Sequence, residues 1–230
     1  MDIPRIDLIA STLIAALLLA TSGASAQSTS LPDTVAPADV AQTACAFTAF
    51  VNETDPAGLN VRAGPGTAHK VLGTLPPTWV GSDDPPLHAR VEVEVSASVD
   101  GWFRIHAARD NELLTEAAQR PMFKGQGWVS GRKLTVKSQA QSGRQRPDIK
   151  SAAVAIGRDG SSFDSDAFLD HASLIGCRRP WVLVEYGPLP QAVRAELEIK
   201  PAATTGFKPG RFRAWVDHIC GLQETSCDGG

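Results

Sequence analysis

Residues 58–75 read Gly58-Leu59-Asn60-Val61-Arg62-Ala63-Gly64-Pro65-Gly66-Thr67-Ala68-His69-Lys70-Val71-Leu72-Gly73-Thr74-Leu75. Leu59 and Val61, then Val71 and Leu75, supply apolar faces, and the turn-forming run Gly64-Pro65-Gly66 stands between them. Proline fixes φ and lacks an amide hydrogen, while glycine opens positive φ, so a helix cannot run through this stretch. A strand, a tight turn and a second strand are expected within about eighteen residues.

The same period of two marks the block around it. Strands are expected at residues 47–51, 59–62, 70–75, 91–95, 102–106 and 127–129, since alternation of apolar and polar residues puts one face in a core and the other in water. Short strands at close spacing, ended by Gly, Pro or Asp, imply a small antiparallel barrel. Residues 111–119 differ: Leu113, Leu114 and Ala117 stand at helical spacing, as in a short helix within an inserted loop. The run from Ser138 to Lys150 has almost no apolar content and reads as a linker. Beyond it, strands are expected at 153–156, 181–186, 194–199 and 212–216. A helix is expected after Asp164-Ser165-Asp166, its carboxylates meeting the open amides of the first turn. The domain reading is an export signal at 1–26, a flexible tether at 27–44, a first β domain at 45–137, a linker at 138–150 and a β-rich second domain at 151–230.

The signal rests on Arg5, the apolar run at 8–20 and the small-residue site Ala24-Ser25-Ala26. That run is shorter than the roughly twenty residues a membrane span needs, and no later segment is longer, so the mature chain is expected to carry no span and to be periplasmic or secreted. The chain holds 22 basic and 25 acidic residues. Near-neutrality without a basic run gives nucleic acid binding no support. All four cysteines, Cys45, Cys177, Cys220 and Cys227, lie beyond the signal, and an even number in an oxidising compartment implies disulfides. Of the three possible pairings we expect Cys220 with Cys227, which closes a short loop, and so Cys45 with Cys177. The longer bridge would contribute on the order of 4 kcal/mol in the chain-entropy model. No pair stands at Cys-x-x-Cys spacing, which argues against zinc.

Four separated motifs resemble the bacterial SH3-like (SH3b) domain: residues 58–66; Val71-Leu72-Gly73; Gly101-Trp102-Phe103-Arg104-Ile105; and Gly127-Trp128-Val129-Ser130 ending in Leu134. The resemblance covers residues 45–136, with longer segments than usual after Leu75 and after His106. Leu174-Ile175-Gly176-Cys177, Trp181-Val182-Leu183-Val184 and Ala214-Trp215-Val216-Asp217 parallel the later motifs, so the second block reads as a degenerate copy whose opening strand and turn are replaced by the helix after Asp164. The fold class implied is all-β: tandem small SH3-like antiparallel barrels, the second carrying a short helix. The resemblance further implies an exported, non-catalytic module recognising a cell-wall peptide or glycan through surface loops. The alternative is a periplasmic adaptor or assembly protein that binds an envelope protein partner.

Three residues are singled out for ligand contact. The Arg62 fork suits a carboxylate, and the competing role is to tie down the following turn. Trp102, like Trp128, could floor a peptide or sugar site or fill the core. Trp79, in Pro76-Pro77-Thr78-Trp79, could meet ligand or pack its own loop. The five histidines form no metal-binding or hydrolase pattern, and no nucleophile elbow occurs, so no catalytic residue, metal or cofactor is expected. Asp164, Asp166 and Asp170 with His171 are the rival metal set, set against the helix-start reading.

Overall fold

The computed structural model describes residues 42–115 and 117–223. The expected signal, most of the tether and Cys227 lie outside the described residues. In chain order the strands are β1 (Thr43–Val51), β2 (Leu59–Arg62), β3 (Val71–Leu75), β4 (Trp79–Val80), β5 (His88–Ala89), β6 (Glu92–Val99), β7 (Trp102–Arg109), β8 (Gly127–Ser130), β9 (Leu134–Thr135), β10 (Ser142–Arg144), β11 (Ala153–Gly157), β12 (Ala172–Arg178), β13 (Trp181–Tyr186), β14 (Leu197–Ile199) and β15 (Phe212–Val216). The helices are short: α1 (Glu112–Thr115), α2 (Asp166–His171), α3 (Gln191–Ala195) and α4 (Pro201–Thr204). The chain is mostly β-sheet, as its alternation requires.

A seven-stranded antiparallel sheet has the order β3-β2-β8-β7-β6-β1-β9, and a six-stranded one has β12-β13-β15-β10-β11-β14; β4 and β5 form a separate ribbon. Five consecutive places in the two sheets correspond. Reading β3-β2-β8-β7-β6 against β11-β10-β15-β13-β12 gives the same neighbours in the same chain order. The match extends to single residues. Arg62 pairs with Val71 across the eight-residue loop 63–70, and Arg144 pairs with Ala153 across the eight-residue loop 145–152. Each arginine sits at a bulge, each faces the tryptophan of the strand beside it, Trp128 or Trp215, and each is followed three residues later by a proline, Pro65 or Pro147. Ala63 N–H donates to the Lys70 carbonyl at 2.9 Å, and Gln145 N–H to the Ala152 carbonyl at 3.0 Å.

This repeat corrects the expected start of the second copy. Its opening strand is β10, within the polar run 138–150 read as a linker, where Ser138 and Ala140 are also buried. Nor is its turn missing. Where the first loop uses Gly64 and Gly66, the second uses side chains: the Asp148 Oδ1 accepts from Lys150 N–H at 2.8 Å, and the buried Ser151 Oγ from Arg146 N–H at 3.0 Å. Such bonds fix a turn without glycine.

Two further expectations shift. The first residues of the 194–199 strand complete α3, which Pro190 precedes as N-cap, so β14 starts at Leu197. Helix α2 forms where expected, yet no side-chain bond caps it. Instead the Ser165 carbonyl accepts from Phe168 N–H at 2.9 Å, and its carboxylates turn elsewhere.

Most buried apolar residues of both sheets form one continuous cluster, from Cys45, Val61 and Phe103 through Leu134 to Leu174, Val184 and Val216, with Ala97, Val99 and Trp128 in a smaller one. Cys45 and Cys177 are bonded, joining β1 to β12 as expected, and no described cysteine is free. The expected Cys220–Cys227 bond ends outside the described residues. Gly131 marks a close approach at this joint: a Cβ there would fall against the Leu174 carbonyl oxygen and lie 2.5 Å from the Phe103 ring.

Candidate functional site

A cleft of about 540 Å³ lies where the first sheet meets β12, and its floor and rim include Trp102, Thr67, Ser130, Arg132 and Ile175. Each part has a local cause. Val99 pairs with Trp102 across the two-residue turn Asp100-Gly101, whose φ values of 46° and 78° are both positive. Asp-Gly is the sequence that tolerates such a turn, and it delivers Trp102 at the head of β7. Behind the indole lie Ala97, Val99 and the buried Trp128, so Trp102 stays half-buried with one part on the cleft. Of the two tryptophans weighed as a floor, Trp128 belongs to the core and Trp102 reaches the surface.

Arg62 does not line this cleft. Its Nη1 donates to the carbonyls of Thr67 and His69, both at 2.9 Å, and so pins the loop that carries Thr67 to the rim. Arg144 repeats the device with a 3.1 Å bond to the Ser151 carbonyl. The turn-tying role is thus the one occupied, and Arg62 acts on the cleft through Thr67.

Arg132 is exposed and has no side-chain bond among the described residues, while sharing its flank with a second hollow containing Glu185, Arg211 and Arg213. Arg211 holds one Glu185 oxygen and Arg213 the other, at 2.6–3.1 Å, and Arg213 stacks 4.6 Å over the Phe207 ring. Burial pushes the Glu185 carboxyl up, but the bonds from the two arginines outweigh it and hold the group below its ordinary range. The rim therefore combines an aromatic face, hydroxyls, the Asp100 carboxylate and the free Arg132 guanidinium beside Arg211 and Arg213, which outnumber Glu185, and this suits a polar ligand with a flat or ring-like face and an anionic group turned toward the arginines.

Trp79 lies on the β4–β5 ribbon, its ring over Gly81, and lines neither hollow. The ribbon's His88 joins a polar cluster that sequence reading missed. His88 Nδ1 is 2.8 Å from Asp170 Oδ1, Arg90 Nη2 donates to the same oxygen, and Asn52 donates to the Leu169 and Asp170 carbonyls at 3.0 and 3.1 Å. Arg90 is wholly buried and its Nε has no partner. Burial lowers its pKa, opposed by Asp170 and then Asp166. Asp170 is thereby committed to closing the joint between the halves. Among the described residues no three His, Cys, Asp or Glu side chains are placed to share a metal, and no helix is long and apolar enough to cross a membrane.

Asp170, weighed along the chain only as a metal ligand or helix-start residue, and Arg90 carry no sequence signal of their pairing, because they meet across the joint. No family model, curated protein or solved structure matches this chain.

Proposed function

We propose that this chain is an exported, non-catalytic binding protein made of two SH3-like modules, the second degenerate, which recognises peptidoglycan or another cell-envelope ligand at the Trp102 cleft. The observation that carries the reading is the convergence on one cleft of the Trp102 face, the loop pinned by Arg62 and the unpaired Arg132. The repeated five-strand order supports the two-module description, and the Cys45–Cys177 bond suits an oxidising compartment such as the periplasm. Aromatic faces carry sugar or peptide contacts, and a free arginine fork supplies direction toward a carboxylate.

Co-sedimentation with purified sacculi tests it. The wild-type chain should pellet with the wall at low salt, and Trp102→Ala should lower the retained fraction at least about tenfold, the loss expected for one buried aromatic contact. A wild-type chain that stays wholly in the supernatant removes the wall ligand. One observation favours the adaptor reading as a second choice: Leu174 and Ile175 of β12 already form one wall of the cleft, so this surface accepts an extended polypeptide. In-cell crosslinking from Arg132 to one dominant envelope protein would decide for it.

A further inference from the structure

Alternation along three neighbouring strands builds the floor of the hollow that holds Glu185. Leu174, Val184, Tyr186, Phe212 and Ala214 are buried in the core, so the residues between them stand on the outer face of the sheet. Ser173 pairs with Glu185 and Glu185 with Arg213, which sets the three side by side across β12, β13 and β15. Arg211, two residues before Arg213, reaches the same Glu185. The remaining wall comes from the first half. Gly131, lacking a Cβ, lets the turn after β8 close on the Leu174 carbonyl, and the next residue, Arg132, is thereby brought to the same hollow of about 370 Å³.

The charge of this hollow is one-sided. Three guanidinium groups and one carboxylate line it, with Ser173 and Ile175, and Asp100 borders the Trp102 cleft instead. Glu185 accepts Nε and Nη2 of Arg211 on one oxygen and Nε and Nη2 of Arg213 on the other, which leaves each Nη1 without a partner among the described residues. One carboxylate is matched by one fork, so the second arginine is surplus to it. Arg132, exposed and without a side-chain bond, is surplus altogether. The shared Glu185 and the Phe207 ring, 4.6 Å from the Arg213 guanidinium, fix two of the forks before any ligand arrives, so little side-chain freedom is lost on binding.

We propose that the hollow between Arg132, Arg211 and Arg213 is an anion site that takes a dianionic phosphoryl group. Three arginines against one glutamate leave two positive charges, which a dianion neutralises and a carboxylate only halves. Arg132 alone is matched by a carboxylate; with Arg211 and Arg213 beside it, donors from three side chains match the three oxygens of a phosphoryl group. Arg132 and Ile175 also border the Trp102 cleft, so a ligand lying on Trp102 has a place here for its anionic group. To that extent the assignment rests on the proposed reading of that cleft, while inorganic phosphate, which needs no aromatic face, tests the hollow by itself.

NMR titration of the full chain, followed through its arginine Nε–Hε signals at fixed ionic strength and about pH 8, where phosphate is a dianion, compares inorganic phosphate with acetate. Phosphate should saturate with an affinity at least about tenfold above that of acetate, and Arg132→Gln should weaken it about tenfold while Arg132→Lys keeps part. Arg132 has no side-chain bond to lose, so that variant folds, and Arg211→Gln, checked by a thermal melt, should weaken phosphate as well. Arg146→Gln, at an exposed arginine elsewhere, should change nothing. Two further arms separate the sources. Glucose 6-phosphate bound more tightly than inorganic phosphate, with Trp102→Ala removing only the difference, marks a sugar phosphate, and stronger binding to phosphatidic acid vesicles marks a lipid one. No saturable phosphate binding, acetate bound equally, or a loss with Arg146→Gln equal to that with Arg132→Gln would each overturn the site. A chain that ignores sacculi yet binds phosphate would lose the wall ligand and keep this site.

Discussion

Tyr186 sits at the centre of the second half's aromatic stack, 4.8 Å from Phe212 and 5.6 Å from Phe163 by ring centroid, with its hydroxyl buried and unpaired. Burial alone pushes the phenol well above its ordinary pKa and keeps it neutral. A buried hydroxyl without a partner costs free energy that a ring hydrogen does not, so Tyr186→Phe should stabilise the fold by about 1 kcal/mol in urea unfolding. The opposite outcome is expected at Gly131. An alanine methyl there meets two carbonyl oxygens, of Leu174 and Gly101, and the Phe103 ring, and backbone cannot give way as a flexible side chain can. Gly131→Ala should cost about 1–3 kcal/mol, the range for overpacking, and lower the melting temperature. Neither effect is visible along the chain: the glycine's crowding comes from residue 174, and the tyrosine's missing partner is a fact of packing.

At the scale of elements, the insert after β7 shows how one ion pair closes a loop. Asn111 accepts Leu114 N–H at 3.0 Å to start α1, and the Asp110 carboxylate takes three bonds from Arg120, at 2.7–3.0 Å, whose Nη1 reaches the Pro77 carbonyl at 2.6 Å. Burial raises the Asp110 pKa and the Arg120 bonds lower it more, leaving the group below its ordinary 3.8. A carboxyl that is more acidic in the folded state contributes its full stabilisation above its unfolded pKa and loses it as pH falls through the lower folded value. Stability should therefore drop on the acid side of about pH 4, and Asp110→Asn should flatten that limb by up to about 1.4 kcal/mol per pH unit in urea titrations between pH 5 and 2. The helix was legible from Leu113, Leu114 and Ala117, though it spans a single turn. Its anchor was not, since Asp110 and Arg120 carry no periodic signal. The loop 145–152 is the more instructive case. Its first-half counterpart announces itself with glycine and proline, while Asp148 and Ser151 build the same turn with side chains that look like linker residues in a sequence.

For the whole molecule, the joint between the halves is covalent, apolar and charged at once. Cys45–Cys177 spans 132 positions, and Cys45→Ser with Cys177→Ser should lower stability by about 5 kcal/mol in the chain-entropy model, read from denaturant midpoints without reductant. Asp170→Asn leaves the buried charge of Arg90 with only the more distant Asp166, 4.0 Å away, and should cost about 3 kcal/mol, the low end of the range for breaking a buried pair by removing one partner. The β class, the strands at 59–62, 181–186 and 212–216 and the long disulfide were all readable from the sequence, whereas which of Trp79, Trp102 and Trp128 would reach a cleft was not. Period-two alternation, turn residues and cysteine parity are local or countable signals. What only the tertiary structure decided was the start of the repeated strand order at β10, the task of Arg62, the burial of Arg90 against Asp170, and the clefts themselves. These depend on which strands become neighbours, and that choice is made by burying one continuous core from residues far apart in the chain, which no local pattern records.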